Sequence, residues 1–471
     1  MPPHERAHTL PLPARMARVA VVAPKERLRD VLVAVADAGV VELSGPLPAA
    51  SGEPVEALRR LQHRARNGSV RPVVSPRTPD LAELERAGDA DLLAGEVELS
   101  RREAAAVARG SFAALVGWVP ATELDRLATQ LEPLGAAALE LETPSWLEPP
   151  TLLAQRRRTR PFRPLVETYG ASRYADLDPT PFAAFSFVLM FGMMFGDVGH
   201  GLLVVAAALW LRATRSARVA SVRSVWPLMC GAGLSAALFG LLYGECFGPT
   251  GLVPTLWLDP LDEPTTLLAA ALVIGALLLA QSYAIGSVNR WRERGPGEAL
   301  LAPSGLAGTL VFLGGAVAAG GLYLGSNALA YVGAVPAAAG LLLLVGGHVL
   351  HAGRGPLAAV QAGIESIDSV VRIGASAISF TRLAAFGLVH AALGAIVWSA
   401  ATAAWGGVVG SLLAILVFVV GNAVAFTLEL LVAGVQALRL EYYELFSRIF
   451  AGEGRAFAPW RIPVAVQKEE S

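Results

Sequence analysis

The sequence predicts a two-part protein, an N-terminal soluble α/β domain followed by a C-terminal all-α polytopic membrane domain. Two observations indicate this fold class. Hydrophobic residues make up 54% of the 471 residues and charged residues only 16%, a composition typical of membrane proteins. Most charged residues precede residue 165, whereas the long apolar runs follow it. We therefore expect a cytoplasmic domain at 1–165, a membrane domain at 166–455 and a cytoplasmic tail at 456–471.

The soluble part contains one local pattern twice. Residues 18–44 predict a strand, a helix that Gly39 ends, and a second strand. Residues 111–142 repeat this order, with Gly135 ending the helix, so we expect two α/β lobes of one design. The polar segment at about 53–110 predicts a short helical hairpin or coiled-coil stub, although a solvated insertion without a function is an alternative.

Several functional classes are disfavoured by this part of the chain. Residues 1–26 have no long apolar run before a cleavage site, so no signal peptide is expected. The two lysines, Lys25 and Lys468, do not follow a glycine, so the phosphate-binding lysine of a P-loop is absent. We therefore expect no catalytic site of the chain's own, no cofactor, no metal site and no nucleic-acid partner.

The membrane part shows seven apolar runs. They lie at about 179–211, 226–247, 266–288, 302–324, 329–350, 376–403 and 409–438. The first run spans about 33 residues and lies between two arginine-rich segments, 156–163 and 212–223. Because arginine and lysine are enriched in cytoplasmic loops, this run must enter the membrane and return, turning at the glycine-rich 196–201.

The other loops extend the same rule. Loops with arginine alternate with loops that have no arginine or lysine. Arginine occurs in the loops at 290–294 and 351–355. The loops without arginine or lysine are 248–264, 325–327 and 403–407. The rule gives eight crossings with both termini cytoplasmic, in what we expect to be a prokaryotic plasma membrane.

The last two runs are long. Residues 357–403 and 409–450 contain no proline, so as continuous helices they would measure about 60–70 Å against a bilayer core of about 30 Å. They must therefore tilt steeply or extend beyond the membrane.

Ionisable residues lie within these two helices, where a charge is expensive. Asp368 and Arg382 are close to four turns apart and share a face at a separation of about 21 Å, with His390 about 12 Å further on. On the second helix, Glu429 precedes Arg439 by about 15 Å. Antiparallel pairing would bring the two arginines together with acidic groups on either side.

Structural interpretations of these groups remain open. Arg382 can form a structural ion pair or extend to the interface, and His390 can be a packed neutral histidine. Glu441 and Glu444 follow Arg439 and can be solvated at the cytoplasmic end.

Three further ionisable residues lie outside these two helices. Asp197 and His200 at the predicted hairpin turn form an i, i+3 pair, which fits a helix cap as well as a functional pair. Glu245 lies beside an outward loop and is a candidate for lining an outer vestibule.

Several motifs resemble one family nearly end to end. They include "EPPTLLAQRRRTRPFRPLVETYGASRYADLDPTPF" (148–182), "FGMMFGDVGHG" (191–201), "SFTRLAAFGLVH" (379–390) and "ALRLEYYELFSRIFAGEGRAFAPW" (437–460). The chain is similar to the large membrane stator subunit of V/A-type rotary ATPases, called subunit a or subunit I.

The resemblance implies eight spans and two ion half-channels against a rotating ring of proteolipid subunits. Arg382 matches the arginine that faces the ring carboxylate, and Arg439 matches its companion on the last helix. Glu429 and His390 match the outer half-channel, and Asp368 matches the inner one. The implied role is coupling of proton or Na⁺ translocation to ATP hydrolysis or synthesis.

The resemblance also implies partners, namely the proteolipid c-ring, the central-stalk socket subunit (C/d) and the peripheral-stalk subunits (E/G type). The insertion at 53–110 is brief compared with the family, so attachment to the peripheral stalk is an open point. A degenerate stator or assembly scaffold is one alternative. A secondary transporter with a soluble regulatory domain is another, and it would show inverted repeats.

Overall fold

The computed structural model describes residues 13–64, 70–144, 146–152, 160–170, 173–174, 176–216, 219, 223–353, 355–450 and 454–465. These residues form two compact units. One is an α/β unit, which contains most described residues up to 152 together with 173–174 and 454–465. The other is a helical unit, which contains residues 160–170 and 176–450.

A small antiparallel sheet forms the centre of the α/β unit. Its strands are β1 (Met16–Pro24), β2 (Glu42–Leu43), β3 (Val107–Arg109), β4 (Phe112–Pro120) and β5 (Ala137–Leu141). The order is β2-β4-β1-β5, with β3 also paired to β4, and every pairing is antiparallel. Central β1 and β4 are rich in valine and alanine, which suits strands that are covered by helices.

The two sequence repeats share this one sheet and do not form separate lobes. Helices α1 (Leu28–Ala38) and α5 (Leu124–Leu131) each follow a central strand, and their apolar residues join one core with β1 and β4. The second strand of each repeat pairs with the first strand of the other, since β2 pairs with β4 and β5 with β1. Gly39 ends α1 at φ +58°, a left-handed conformation that glycine adopts without strain.

The insertion between the repeats is helical, as predicted. It contains α2 (Glu53–Arg64), α3 (Leu81–Ala87) and α4 (Ala90–Ala105), while residues 65–69 lie outside the described residues. The helices pack through a small apolar cluster of Ala57, Leu61, Leu84 and Leu93.

The segment that follows the last helix packs within the α/β unit. Trp460 is buried in the sheet core, and the Arg102 guanidinium lies 5.2 Å from the centre of its ring. Val464 forms a parallel bridge with Val74, and the Arg455 guanidinium lies 2.7 Å from a carboxylate oxygen of Glu42. This segment therefore contributes buried apolar surface to the α/β unit.

The helical unit contains the apolar segments of the sequence. Its α-helices are α6 (Arg163–Glu167), α7 (Thr180–Met194), α8 (Val198–Ala213), α9 (Trp226–Tyr243), α10 (Pro264–Arg294), α11 (Pro296–Leu301), α12 (Leu306–Tyr323), α13 (Asn327–Ala352), α14 (Pro356–Ser379), α15 (Thr381–Ala403), α16 (Gly407–Leu440) and α17 (Ser447–Ile449). A π-helical turn, Glu441–Phe446, joins α16 to α17.

Six helical segments within the described part of the chain are long and apolar enough to cross a bilayer. They are Arg223–Tyr243, Pro264–Glu293, Pro296–Tyr323, Asn327–Ala352, Pro356–Ala403 and Gly407–Ile449. The shorter α7 and α8 are apolar too, with 15 and 16 residues. At 1.5 Å per residue each is about 22–24 Å long, less than the usual core thickness of about 30 Å.

Glycines let α7 and α8 approach α9 closely from two sides. Val188 of α7 lies at Gly231, and Gly192 lies at Ser235, so α7 and α9 run parallel. A Cβ at Gly192 would be only 2.1 Å from the Ser235 Oγ.

Helix α8 runs the other way along α9. Gly240 lies against Asp197 and Val198, and Gly233 lies against Gly201 and Val205. Since α7 is parallel to α9 and α8 antiparallel to it, α7 and α8 form the reversal that the loop charges predict. The turn between them contains Phe195, Gly196 and Asp197.

The long helix predicted over 357–403 is interrupted at Phe380, where α14 ends and α15 begins one residue later. The Phe380 side chain is fully buried, and it lies at Gly275 of α10, where a Cβ would be 2.2 Å from its Cγ. The space that Gly275 leaves holds this ring, two residues before Arg382. The long segment Pro356–Ala403 is thus present, with a one-residue interruption between Asp368 and Arg382.

Candidate functional site

Five ionisable side chains from four elements converge within the helical unit, and we call them the acid–histidine cluster. They are Asp197 just before α8, His200 in α8, Glu245 beyond α9, His390 in α15 and Glu429 in α16. Asp197, His200, Glu245 and His390 are at most 5% exposed as residues, and the Glu429 side chain is 11% exposed.

His390 lies between two carboxyl groups. Its Nδ1 is hydrogen-bonded to Glu429 Oε2, and its Nε2 is 3.8 Å from Glu245 Oε2. Because an ionised carboxylate only accepts hydrogen bonds, Nδ1 carries the proton when Glu429 is ionised, and in the neutral imidazole Nε2 then keeps its lone pair. The second oxygen of Glu429 has no hydrogen-bond partner among the described residues.

Asp197 is the N-cap of α8. Its Oδ1 accepts a hydrogen bond from the His200 backbone N–H at 2.8 Å, and its Oδ2 accepts one from Gly248 N–H at 2.9 Å. The cap interpretation of the Asp197–His200 pair is therefore correct. The His200 ring itself makes no hydrogen bond of good geometry to a described residue, although Asn422 is a weak polar neighbour, and its Nδ1 is 3.9 Å from Asp197 Oδ1.

Phenylalanines surround the two imidazole rings. The centre of the Phe195 ring lies 5.2 Å from that of His390, and the rings of Phe247 and Phe426 lie 5.3 and 5.4 Å from His200. The two histidine rings are 5.7 Å apart. These apolar rings lower the local dielectric constant, so charge interactions inside the cluster are stronger than in water.

Helices α15 and α16 pair antiparallel, as the sequence predicts. His390 contacts Glu429, and about two helical turns further along α15 Val397 lies against Gly421. In this register Arg382 lies at the level of residues 436–437, within one turn of Arg439.

The two arginines differ from the other charges in this region. Arg382 is half-buried and Arg439 is exposed. Neither guanidinium forms an ion pair or hydrogen bond within the part of the chain that the structure describes. A structural ion pair, the simplest alternative for Arg382, is therefore not formed within these residues.

The sequence beyond Arg439 enters the π-helical turn. There Glu441 is fully buried, and its Oε2 accepts a hydrogen bond of 2.7 Å from the Ser186 hydroxyl of α7. Glu441 is thus not solvated in this chain, whereas Glu444, three residues later, is partly exposed. π-helical turns are frequent at functional sites.

An open cavity of about 610 Å³ lies beside this turn. Its lining is rich in hydroxyl and charged groups, including Ser369, Arg372, Ser376, Tyr443, Glu444 and Arg448. Arg448 donates hydrogen bonds to the Arg372 carbonyl at 3.2 Å and to Ser376 Oγ at 2.8 Å. We call this feature the polar cavity.

Arg372 forms an ion pair with Asp368 one turn earlier in α14. Both side chains are more than half exposed, at 67% and 57%. The positive charge near Asp368 is thus explained by a local pair on the helix surface.

The structure therefore divides the predicted site residues into three groups. His390, Glu429 and Glu245 meet in the acid–histidine cluster, Arg382 and Arg439 lie at one level of the helix pair, and Glu444 lines the polar cavity. Asp368 and Glu441 contact Arg372 and Ser186 respectively. Ser186 was not predicted, although it is the one serine in the apolar segment 181–195.

Three ligand atoms of the cluster lie close enough for a shared ion. Asp197, His200 and His390 each place one oxygen or nitrogen within 4.8 Å of the others, and all three residues are buried. No spacing in the sequence predicted this group, because Asp197 and His390 are 193 residues apart.

Comparison with known proteins identifies relatives of this chain. The profile described as "V-type ATPase 116kDa subunit family" matches residues 105–259. The A-type ATP synthase subunit I of Thermococcus kodakarensis is 28% identical over 381 residues, covering 76% of this chain and 55% of that protein. That of Archaeoglobus fulgidus is 29% identical over 402 residues, covering 74% and 58%. The human V-type proton ATPase 116 kDa subunit a 3 is 35% identical over 133 residues, covering 26% and 16%.

The apolar helices and the sequence relatives define a multi-pass membrane protein with a separate α/β unit. The chain is therefore similar to subunit a and subunit I of V/A-type ATPases. It spans about half the length of the curated relatives that it matches.

Proposed function

We propose that this chain is the membrane stator subunit of a V/A-type rotary ATPase. It conducts protons or Na⁺ through two half-channels against a rotating ring of proteolipid subunits. The observation that carries the proposal is the order of charges along the helix pair. Arg382 and Arg439 lack partners among the described residues, and they lie between the acid–histidine cluster at one level and the polar cavity at the other.

The acid–histidine cluster is the outer half-channel in this proposal. Glu245, His390 and Glu429 form a short series of groups that can pass a proton, because neighbours within it are hydrogen-bonded or within 4 Å. Ionisable groups that face the interior of a membrane bundle are typical of such relays.

The polar cavity is the inner half-channel. Its open lining of hydroxyl and charged groups gives water and ions access to the Arg439 end of α16. Glu444 is the acid that faces this cavity, while Asp368 acts near its edge through its pair with Arg372.

Arg382 separates the two half-channels. A guanidinium stays ionised at any working pH, and beside it the ionised form of a ring carboxylate is favoured. The ring carboxylate must then release its ion before it passes Arg382. The fixed positive charge also opposes direct proton movement between the half-channels.

The proposal includes the rest of the complex. The partners are the proteolipid c-ring, the socket subunit of the central stalk and peripheral-stalk subunits of the E/G type. The chain has eight crossings, with α7 and α8 as the short pair, and both termini on the cytoplasmic side of a prokaryotic plasma membrane. It contributes no catalytic site, and its relatives are named as ATP synthase or ATPase subunits.

Replacement of Arg382 tests the function. Arg382→Ala and Arg382→Lys complexes should assemble, but ATP-driven formation of ΔpH or Δψ in vesicles should fall at least about 100-fold, as when a preorganised charge is removed. Arg292→Ala is the matched control, since Arg292 is an exposed arginine of α10 and should leave pumping unchanged. Wild-type pumping by an assembled Arg382→Ala complex would contradict the proposal.

Labelling tests the topology. In a background without Cys230 and Cys246, Ser216→Cys and Asp262→Cys should react with a membrane-impermeant maleimide from opposite sides. Reaction of both from the same side would remove the two-way crossing of α7 and α8.

A further inference from the structure

The His200 ring is buried with little hydrogen bonding. The residue is 3% exposed, neither Nδ1 nor Nε2 has a hydrogen-bond partner of good geometry within the described part of the chain, and the Asn422 side chain is a weak polar neighbour. A buried polar group without a partner costs free energy, so such a group calls for an explanation. Its nearest carboxylate oxygen, on Asp197, is 3.9 Å from Nδ1, beyond hydrogen-bond distance.

The groups around His200 are arranged as ligands and supports of ligands. Two backbone amides, of His200 and Gly248, hold the Asp197 carboxylate in place. Glu429 holds the His390 ring through Nδ1, which leaves Nε2 for another contact. A carboxylate that orients a ligating histidine through its other nitrogen is the usual support of a metal site.

We infer that Asp197, His200 and His390 form a binding site for a transition-metal dication of the zinc type. Two imidazoles and one carboxylate suit zinc, whereas calcium and magnesium prefer oxygen ligands alone. The three ligand atoms lie within 4.8 Å of one another. Zinc bonds of about 2.0–2.2 Å need them somewhat closer, which small side-chain rotations supply. The fourth position is open to water or to Glu245, whose Oε2 lies 3.8 Å from His390 Nε2.

Charge and access agree with this assignment. The acid–histidine cluster has three carboxyl groups and two histidines, so full ionisation would leave one net negative charge in a buried site, and neutral histidines would leave three. A dication offsets this excess. His200 also lines an open, mainly apolar cavity of about 410 Å³ with Phe247, Asn422 and Phe426, so the ring is accessible from this side.

Metal binding itself does not depend on the proposed function. The consequence of metal binding for transport does depend on the proposed function. An ion held by His390 and Asp197 would occupy the proposed outer half-channel and stop ion movement there. The binding and transport experiments can therefore fail separately.

The test is zinc binding by the full chain in detergent, purified through a tag without histidine and freed of metal with EDTA. Competition with a chromophoric zinc chelator gives the dissociation constant, with one ion per chain expected for the wild type. His200→Phe keeps an aromatic ring in the phenylalanine-lined site and removes both nitrogens, so affinity should fall about 100-fold or more. Glu429→Gln alters only the support of His390 and should cost about 10-fold.

Two further variants keep the result interpretable. His63→Ala removes an exposed histidine of α2 and should bind like the wild type. Asp197→Asn keeps the cap hydrogen bond from His200 N–H but loses the bond from Gly248 N–H and the anionic ligand, so it should also weaken binding. It replaces His200→Phe as the test variant if thermal unfolding shows His200→Phe to be unstable. Cobalt should show the intense d–d absorption of a four-coordinate site in the wild type and in His63→Ala, but not in His200→Phe or Asp197→Asn. Equal zinc affinity of the wild type and both site variants, or no binding by the wild type, would overturn the assignment.

Discussion

The acid–histidine cluster and the polar cavity lie at opposite levels of the same helix pair, and they hold their charges in different ways. In the cluster, His390 and its acidic neighbours are nearly inaccessible and pack against phenylalanine rings. At the cavity, Arg372 and Asp368 are more than half exposed, and hydroxyl groups line the space beside them.

This difference determines how replaceable each group is. Where water is excluded, a lost partner leaves a polar group unpaired and electrostatic interactions are strong. Where water enters, it substitutes for the lost group, and salt screens the charges that remain. We therefore expect large effects from changes in the cluster and small effects from changes at the cavity.

The largest effect should come from Glu429→Gln in the cluster. Glutamine keeps the size of the side chain and can still accept a hydrogen bond from His390 Nδ1, but it cannot take up a proton. Ion flux through the assembled complex should fall about 100-fold, the scale of losing a positioned proton-transfer group. The measurement is the initial rate of ΔpH formation in vesicles.

Glu365→Gln is the matched control, because Glu365 is a partly exposed glutamate of α14 whose carboxylate contacts Gln361. Its flux should equal that of the wild type. Unchanged flux in Glu429→Gln under a saturating driving force would mean that Glu429 only holds His390, and the distinction between the two levels would lose its functional meaning.

The next effect tests the backbone support of the cluster. Gly201 follows His200, and a Cβ there would be 2.5 Å from the backbone nitrogen of Ala237 in α9. Backbone cannot rotate aside as a side chain does, so Gly201→Ala must push α8 from α9. We expect the free energy of unfolding to fall by about 1–3 kcal/mol, as for overpacked cores.

Gly315→Ala is the comparison, because Gly315 lies within α12 and a Cβ there would meet nothing within 4 Å. Its replacement should be neutral or stabilise by up to about 1 kcal/mol, since alanine favours helices. Thermal unfolding in detergent measures both. Equal midpoints for the two variants would show that the α8–α9 contact is not tight.

The sequence was sufficient to predict the features that depend on periodic patterns. Alternation of apolar runs with arginine-rich loops predicted the long apolar helices and the reversal between α7 and α8. The spacing of Gly39 and Gly135 predicted the ends of the soluble helices. Motifs such as 379–390 and 437–460 predicted the resemblance to subunit a and subunit I, and the comparisons found relatives with those names.

The features that were missed depend on contacts between distant residues. Nothing local to Asp197 indicates that it faces His390, and nothing local to Ser186 indicates that it faces Glu441. Strand β2 pairs with β4 and strand β5 pairs with β1, so each repeat supplies a strand to the other. These pairings also join residues that are far apart in the sequence. The Phe380 ring at the helix interruption likewise packs against Gly275, over 100 residues earlier in the sequence.

A third effect concerns Glu441, which is the buried acid nearest the cavity level. Ser186→Ala would remove the hydroxyl that contacts its Oε2, and its Oε1 already lacks a partner among the described residues. Stability should fall by about 1–2 kcal/mol, because a buried acceptor would be left unpaired. Ser379→Ala is the control, since Ser379 is partly exposed and its hydroxyl donates a hydrogen bond to the Ala375 carbonyl of its own helix. An unchanged melting midpoint for Ser186→Ala would show that water reaches Glu441.

The smallest effect should come from Asp368→Asn at the cavity edge. The pair with Arg372 is an exposed i, i+4 contact, and such pairs contribute about 0.3–0.5 kcal/mol to stability. Thermal unfolding should therefore barely change, and the small difference should vanish in high salt. Since water can replace the carboxylate, pumping should also remain within about threefold of the wild type, far from the loss expected for Glu429→Gln. Asp368→Asn leaves Arg372 without its partner, so the double variant Asp368→Asn/Arg372→Gln is the control. Its pumping and thermal unfolding should match those of Asp368→Asn. A loss of pumping in Asp368→Asn as large as that in Glu429→Gln, with assembly intact, would mean that the exposed carboxylate is an obligatory step of the inner path and that exposure does not predict tolerance here.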